Sequence, residues 1–255
     1  MSPAASQELL DALHARRGLV CLVGAGGKKT TLYRLAGIHP GRVGITSTVF
    51  IPMFPKSLEA EVVLAEEPQL EFAVASAAER SRAVAFAQPA QKRGRRAGLP
   101  PALVRPIHAA AGFEATLVKA DGARSRLIKA PAEDEPQIPE DADTVIPVVS
   151  AAAFGEPLSE RIAHRVEHIA AVSGAAPGAV MTASHVARLL SSEQGALRSV
   201  GTATVVPLIN MIDDRERHAL AREAALEALA LTRRFDRVVL ASMRAAEPLI
   251  EVLGR

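Results

Sequence analysis

A short stretch near the start of the chain has the residue types that bind phosphate. It reads Gly-Ala-Gly-Gly-Lys-Lys-Thr-Thr and consists of Gly24, Ala25, Gly26, Gly27, Lys28, Lys29, Thr30 and Thr31. Glycines let backbone N–H groups approach phosphate oxygens, a lysine brings charge to the terminal phosphates, and a neighbouring hydroxyl can ligate Mg²⁺. The stretch lies between an apolar segment and a predicted helix, whose N-terminus also attracts anions. It predicts a nucleotide phosphate site.

The spacing of this stretch differs from the usual phosphate-loop pattern, which has Gly, four residues, and then Gly-Lys-Ser/Thr. With Lys28 as the lysine of the pattern, Leu22 stands at the first glycine and Lys29 at the hydroxyl. With Lys29 as that lysine, Val23 stands first and Lys28 replaces the second glycine. A shorter pattern, Gly-x-x-Gly-Lys, fits residues 24–28. Both lysines are therefore candidates for the catalytic charge.

An acidic residue at the end of a neighbouring strand would complete a site for Mg²⁺. Asp121 ends the apolar segment 115–121 and is followed by Gly122. We predict that Asp121 and Thr30 position the metal; the alternative is an ordinary Asp-Gly turn. The hydroxyls of residues 46–48 either reach the γ-phosphate or the metal, or simply reflect the β-propensity of a strand end.

A second polar stretch, residues 209–213, follows an apolar segment and reads Ile-Asn-Met-Ile-Asp. It is similar to the Asn-Lys-x-Asp element with which many GTPases read guanine, with Met211 in place of the lysine. Asn210 and Asp213 are then base-binding residues. The alternative is a polar strand end at which Asp213 or Asp214 caps the following helix. ATP and GTP both remain candidates.

Apolar segments and amphipathic segments alternate along the chain, as in a parallel sheet covered by helices. Strands are predicted near residues 18–23, 42–48, 61–65, 82–87, 115–121, 143–150, 202–210 and 236–242. Helices are predicted near residues 6–16, 30–38, 69–79, 100–111, 160–173, 183–192 and 213–234. Pro147 predicts an edge position or a bulge for its strand. We expect an α/β fold, a mostly parallel β-sheet flanked by helices in three layers, like that of P-loop NTPases.

Composition limits the other classes of function. The 255 residues are 49% hydrophobic, enough for one nucleotide-binding domain over residues 1–255, with inserted loops around 88–101 and 122–142. A net charge of +2 and 3% aromatic residues argue against a nucleic-acid partner. The single cysteine, Cys21, excludes an intramolecular disulfide and a cysteine metal cluster. No segment approaches the roughly 18 apolar residues of a membrane span, so we expect a cytoplasmic protein without a membrane partner.

These stretches together resemble the selenium cofactor biosynthesis protein YqeC family, described as accessory proteins of selenium-dependent molybdenum hydroxylases. The resemblance runs over nearly the whole chain. It rests on residues 24–36, 46–52, 119–139, the pair His164-Arg165, and residues 208–213. The middle stretch, with its Asp-Gly-Ala-Arg and Lys-Ala-Pro-Ala-x-x-Glu-Pro-x-Ile-Pro pattern, is the most specific.

The chain departs from the family pattern in two places. The family commonly has a single lysine in the glycine turn, whereas Lys28 and Lys29 are both present here. The family also commonly has four threonines and a lysine after the second strand, where this chain has Thr-Ser-Thr-Val-Phe at residues 46–50.

The resemblance implies a phosphate-loop fold and a part in maturing a selenium-containing centre, with a molybdenum hydroxylase as partner. We expect Mg²⁺-dependent hydrolysis of ATP or GTP, or phosphoryl transfer to an unidentified small molecule. A nucleotide-gated carrier with little turnover is the alternative, as is a small-molecule kinase or a ligase resembling the Mur enzymes. Each would use the same phosphate site.

Charged residues after Asp121 could contribute to such a reaction. Arg124 is a candidate catalytic residue, and with Arg126 and Lys129 it would place positive charge over the triphosphate. Glu133 and Glu135 would orient a nucleophile or bind a second ligand. The alternative is a proline-stiffened connection with solvated charges.

Two further basic groups are weaker candidates. The stretch with Lys92, Arg93, Arg95 and Arg96 is either a solvated loop or an anion-binding lid. The pair His164-Arg165, on a predicted helix, either faces the cleft or lies on the surface.

Overall fold

The computed structural model describes residues 1–255 and contains a ten-stranded, mostly parallel sheet with seven α-helices. The helices are α1 (Pro3–Ala12), α2 (Lys28–Ile38), α3 (Glu67–Arg80), α4 (Val104–Ala110), α5 (Val166–Ser173), α6 (Ala183–Ser191) and α7 (Arg215–Leu231). The strands are β1 (Gly18–Gly24), β2 (Val43–Ser47), β3 (Ile51–Pro52), β4 (Glu61–Leu64), β5 (Ala83–Ala87), β6 (Arg95–Arg96), β7 (Ala115–Lys119), β8 (Ile128–Lys129), β9 (Thr144–Ser150), β10 (Ala163–His164), β11 (Thr204–Val205), β12 (Leu208–Asn210), β13 (Arg237–Ala241) and β14 (Leu249–Gly254). The predicted α/β fold is confirmed.

Strand β1 lies in the middle of the sheet, whose order is β14-β13-β12-β9-β1-β7-β2-β5-β4, with β11 also paired to β9. Its apolar side chains point alternately to the two faces of the sheet and are buried on both, as expected of a strand covered by helices on both sides. Leu19, Cys21 and Val23 pack in a core with residues of α5, α6 and α7. Val20 and Leu22 pack on the opposite face with residues of α1 and α2. The helices therefore form a layer on each face of the sheet.

The carboxyl ends of the parallel strands meet at one edge of the sheet. Leu22 pairs with Lys119 of β7, which also pairs with Ser47 of β2. On the other side of β1, Gly24 pairs with Val148 of β9. The loops that follow β1, β2, β7, β9 and β12 therefore lie side by side, the place where open α/β sheets bind ligands.

The prediction of an edge position for Pro147 is wrong. Its strand, β9, is central and pairs with β1 on one side and with β11 and β12 on the other. Val145 pairs with Val205 of β11 and Val148 pairs with Leu208 of β12. Pro147 thus lies opposite the interruption between β11 and β12, where its missing N–H breaks no regular ladder.

The structure corrects three other sequence predictions. The pair His164-Arg165 is not helical: His164 ends β10, which pairs with β8, and Arg165 precedes α5 with a φ of 69°. Helix α1 begins earlier than predicted, with Ser2 as its N-cap. A fourteenth strand, β14, follows the predicted last strand and pairs antiparallel with β13. The sheet is therefore parallel except at this edge.

Cys21 is fully buried, and burial raises the pKa of its thiol. None of the seven helices combines the length and the apolar character that crossing a bilayer requires.

Candidate functional site

The glycine-rich turn between β1 and α2 has a backbone conformation that favours glycine. Gly24, Gly26 and Gly27 have φ values of 86°, 83° and 123°. A Cβ atom on Gly26 would lie 2.6 Å from the backbone nitrogen of Ser150 and 2.7 Å from the carbonyl oxygen of Leu127. Both the left-handed conformation and this close approach therefore require glycine at position 26.

The turn leaves backbone donors open at the start of α2. Gly27 is the N-cap of the helix and carries no side chain that could cap it. The N–H groups of Gly27, Lys29 and Thr30 donate to no backbone acceptor in the protein. Open donors at a helix N-terminus, together with the helix dipole, form an anion-binding site.

The two adjacent lysines have different surroundings. Lys28 is buried, and its Nζ contacts the carbonyl oxygen of Gly24 and lies 2.8 Å from Oδ1 of Asp121. Lys29 is exposed. The backbone N–H of Gly24 also donates to Oδ2 of Asp121, at 2.8 Å. The structure therefore joins Lys28 and Asp121 at the turn and leaves Lys29 at the surface.

A buried network of charges continues from Asp121. Lys129 Nζ lies 3.0 Å from Asp121 Oδ2 and 2.6 Å from Glu135 Oε2, and Arg165 Nη1 lies 2.6 Å from the same Glu135 oxygen. Burial raises the pKa of Glu135, but hydrogen bonds from Arg165 and Lys129 outweigh this and hold that pKa below its usual value. Burial lowers the pKa of Lys28, and the Asp121 carboxylate opposes that shift.

The segment after Asp121 folds over the turn, as one of the two sequence hypotheses required. Gly26 N–H donates to the carbonyl oxygen of Arg126 at 3.0 Å, and the segment returns to the sheet where Gln137 N–H donates to Ala120 at 2.8 Å. Lys129 and Glu135 lie in the network just described. Arg124 is exposed at the tip of this segment.

Asn210 connects the turn to the loops after β12 and β13. Its Nδ2 donates to the carbonyl oxygen of Gly26 at 2.8 Å, and its Oδ1 accepts from Met243 N–H at 3.0 Å. Ser242 Oγ donates to Asp213 Oδ1 at 2.7 Å. A cavity of about 70 Å³ lies here, and its lining includes Thr30, Asn210, Asp213, Ser242 and Met243. The two predicted base-binding residues therefore share one cavity beside the glycine turn, and Asp214 caps α7, as the alternative for this stretch predicted.

The hydroxyls at the end of β2 are engaged in the fold. Thr46 Oγ1 donates to Phe86 O at 2.8 Å, Ser47 Oγ to Lys119 O at 2.7 Å, and Thr48 Oγ1 to Gln137 O at 2.6 Å. These bonds favour the structural alternative for residues 46–48. In the basic stretch, Arg95 and Arg96 form β6, which pairs with β3.

Sequence reasoning missed Lys119, although a lysine inside an apolar strand is itself an unusual signal. Its side chain is buried at the end of β7, and its Nζ donates to the carbonyl oxygen of Phe50 at 3.1 Å. Burial, and next the charge of Lys28, lower the pKa of Lys119 to about 7.

No group of three or more His, Cys, Asp or Glu side chains in residues 1–255 is arranged to hold a metal ion. Asp121, the predicted metal ligand, directs its two buried oxygens at the amines of Lys28 and Lys129, so a metal bound to Asp121 would replace one of these contacts. Thr30 offers a partly exposed hydroxyl on the first turn of α2, in the cavity with Asn210.

Comparison with known proteins connects this geometry to a family. The model of the family described as "YqeC protein" matches residues 20–167, which include the glycine turn, Asp121 and the segment that folds over the turn. A relative from Escherichia coli (strain K12), named "Uncharacterized protein YqeC", is 30% identical over 190 residues, covering 72% of each chain. The chain therefore belongs to the YqeC family.

Proposed function

We propose that the protein binds a nucleoside triphosphate at the turn between β1 and α2 and uses it in the maturation of a selenium-dependent molybdenum hydroxylase. The observation that carries the nucleotide site is the contact of Lys28 with both Gly24 and Asp121. It brings a cation, a carboxylate and a glycine turn together at the end of a central strand. Phosphate sites combine these same groups.

The open N–H groups of Gly27, Lys29 and Thr30 would receive phosphate oxygens. Lys28 already lies against the turn, so a small movement of its flexible side chain exchanges Asp121 for a phosphate oxygen. Its charge would then stabilise the negative charge that develops on the transferred phosphoryl group. Lys129 would continue to pair with Asp121.

Mg²⁺ would bind together with the triphosphate, with Asp121 and Thr30 as its protein ligands. When bound, it would neutralise charge on the phosphate oxygens. Asp121 is well oriented for this role because the N–H of Gly24 fixes one of its oxygens at 2.8 Å.

The cavity beside Asn210 supports guanine as the base. Ser242 donates to one oxygen of Asp213 at 2.7 Å, and the other oxygen lies 3.5 Å from Nη1 of Arg217, in an exposed pair that the base's N–H groups would have to replace. Asn210 is positioned by two backbone contacts and lies between the phosphate turn and this cavity. A nucleotide could therefore place its base here and its phosphates over α2.

The role in cofactor maturation rests on membership of the YqeC family. The site itself supports hydrolysis or phosphoryl transfer, with the triphosphate as substrate and a second small molecule as acceptor. Cells that lack this protein provide the test of this role. If the wild type restores hydroxylase maturation in them and a Lys28→Met variant does not, the phosphate site is required for cofactor maturation.

Calorimetric titration with ATP and GTP, with and without Mg²⁺, tests the nucleotide site. Lys28→Met should lower triphosphate affinity by about tenfold to a hundredfold, because a charge-assisted contact is lost. Lys56→Met, at an exposed lysine distant in the chain, is the matched control. GTP should bind more tightly than ATP, and Asp213→Ala should remove that preference.

Unchanged affinity for both nucleotides in a double variant, Lys28→Met with Lys29→Met, would reject the phosphate site. Equal affinity of the wild type for ATP and GTP would reject only the guanine assignment.

A further inference from the structure

Lys119 carries a buried amine without a carboxylate partner. Only 7% of the residue is exposed, and its one hydrogen bond goes to the neutral carbonyl of Phe50. By contrast, the buried amines of Lys28 and Lys129 both pair with Asp121. Burying an ammonium group is costly unless an anion compensates for the lost water. The protein alone does not supply that anion.

The side chain of Lys119 lies on the face of the sheet that carries the phosphate turn. Ala115 and Leu117 precede it at alternate positions of β7 and pack with Leu32 and Leu35 of α2. Alternation along a strand places Lys119 on the same face.

The charged groups that act on the Lys119 amine come from three elements. They are Lys28 and Lys29 of α2, Asp121 in the segment after β7, and Lys129 of β8. The neighbouring end of β2 contributes Ser47, which is uncharged. Three cations therefore make an ammonium group at Lys119 less favourable, and the one carboxylate among these groups already pairs with two of them, Lys28 and Lys129. The surroundings favour an anion from outside the protein.

The strand order indicates which part of a nucleotide would reach this amine. Asn210 ends β12, on the β9 side of β1, whereas Lys119 ends β7, on the other side. Along the edge of the sheet the order is therefore the cavity at Asn210, the glycine turn, and Lys119. A nucleotide with its base at Asn210 and its first phosphates over the turn would extend its terminal phosphate towards Lys119.

We propose that Lys119 binds the terminal phosphate of the bound triphosphate and thereby distinguishes a nucleoside triphosphate from a diphosphate. This inference rests on the proposed function, since it assigns one end of the same nucleotide. It also explains why a cation is kept buried at a position where an apolar side chain would cost less.

The test compares the imido analogues of GTP and ATP with GDP and ADP in binding titrations. Lys119→Met should lower the affinity for the imido analogues by about tenfold to a hundredfold, because one charged contact is lost. Affinity for the diphosphates should stay within about twofold. Lys56→Met, at an exposed lysine, is the matched control.

Thermal unfolding of the ligand-free protein gives a second readout. Lys119→Met should raise the unfolding temperature, because the variant no longer buries an unpaired ammonium group. If Lys119 had a purely structural role, Lys119→Met would lower the unfolding temperature and would reduce the affinities for triphosphates and diphosphates equally.

If Lys119→Met lost affinity equally for triphosphates and diphosphates, or for neither, the assignment of Lys119 would be overturned and the nucleotide site would stand. Failure of the wild type to bind any of the four nucleotides would instead reject the proposed function, and the assignment with it.

Discussion

Asn210 donates a hydrogen bond of 2.8 Å from its Nδ2 to the carbonyl oxygen of Gly26, and the same side chain accepts a bond of 3.0 Å from the N–H of Met243. Asn210 is buried, so neither bond is replaced by water at low cost. The glycine turn and the loop after β13 are thus held together by one amide. The conformation of the turn depends on a residue almost 200 positions away in the sequence.

Replacing Asn210 with Asp keeps the shape of the side chain but removes the donor. A carboxylate oxygen would then face the carbonyl oxygen of Gly26, and we expect a loss of about 1–3 kcal/mol in the free energy of unfolding. Nucleotide affinity should fall as well, since the turn loses its support. Urea unfolding and calorimetric titration measure the two effects. Gln69→Glu, the same chemical change on the exposed face of α3, should alter neither.

A methyl group on Gly26 should disrupt the turn. Gly26→Ala would place a Cβ atom 2.6 Å from the Ser150 backbone at a φ of 83°. We expect a lower unfolding temperature and a loss of nucleotide binding. Gly37→Ala is the matched control, because Gly37 lies in α2 with no atom within 4 Å of its added Cβ. That variant should be as stable as the wild type or more stable. Equal behaviour of the two variants would contradict a requirement for glycine at position 26.

Asp121 compensates two buried cations, so its replacement should be costly. In Asp121→Asn, the amines of Lys28 and Lys129 would face a neutral amide. Breaking a buried pair in this way costs about 3–5 kcal/mol. Asp141→Asn, at an exposed carboxylate paired with Arg105, should cost less than about 1 kcal/mol. Urea unfolding of both variants measures the difference. Similar losses would mean that the Asp121 network contributes no more than a surface pair.

Acidification should destabilise the protein through His164. Burial, and next the positive charges of Arg165 and Lys129, lower the pKa of His164 to about 4. In the unfolded chain an imidazole has a pKa of about 6.5. Between these values the unfolded state binds the additional proton, so stability falls as the pH decreases from about 6.5 to 4. Above that pH range His164 is neutral in both states and does not change the free energy of unfolding.

Unfolding temperatures of the wild type and of His164→Gln, measured from pH 7.5 to 4.5 in about half-unit steps, test this prediction. The decline should be shallower in the variant. His168→Gln removes an exposed imidazole from α5 and is the control. Parallel curves for the wild type and His164→Gln would show that another group causes the acid sensitivity.

The central strands could be predicted because they are buried on both faces and read as continuous apolar runs, as in β1 and β9. The edge strand β14 could not, because its exposed positions include the apolar residues Ile250 and Val252, so that apolar and polar residues do not alternate in its sequence. Proline is unusual in a central strand, and Pro147 is explained only by the interruption between β11 and β12, which lies opposite it. In each case the missing information is the identity of the adjacent strand.

The sequence indicated several of the residues that lie together at the glycine turn, but not the contacts between them. The choice between Lys28 and Lys29 depends on where α2 begins and on β7 lying next to β1, which brings Asp121 to Lys28. Lys129, Glu135 and Arg165 come together through the pairing of β8 with β10, two strands of two residues each. Strands that short leave no periodic signal in the sequence.

The buried network also determines how charge is distributed in the whole protein. Two carboxylates, those of Asp121 and Glu135, lie near four basic side chains, those of Lys28, Lys119, Lys129 and Arg165. Without these four basic and two acidic residues, the remaining basic and acidic residues of the chain are equal in number. These residues therefore carry a formal excess of two positive charges, equal to that of the whole molecule. An anion bound there would lower the net charge of the protein, and electrophoretic mobility would then report whether the site is occupied.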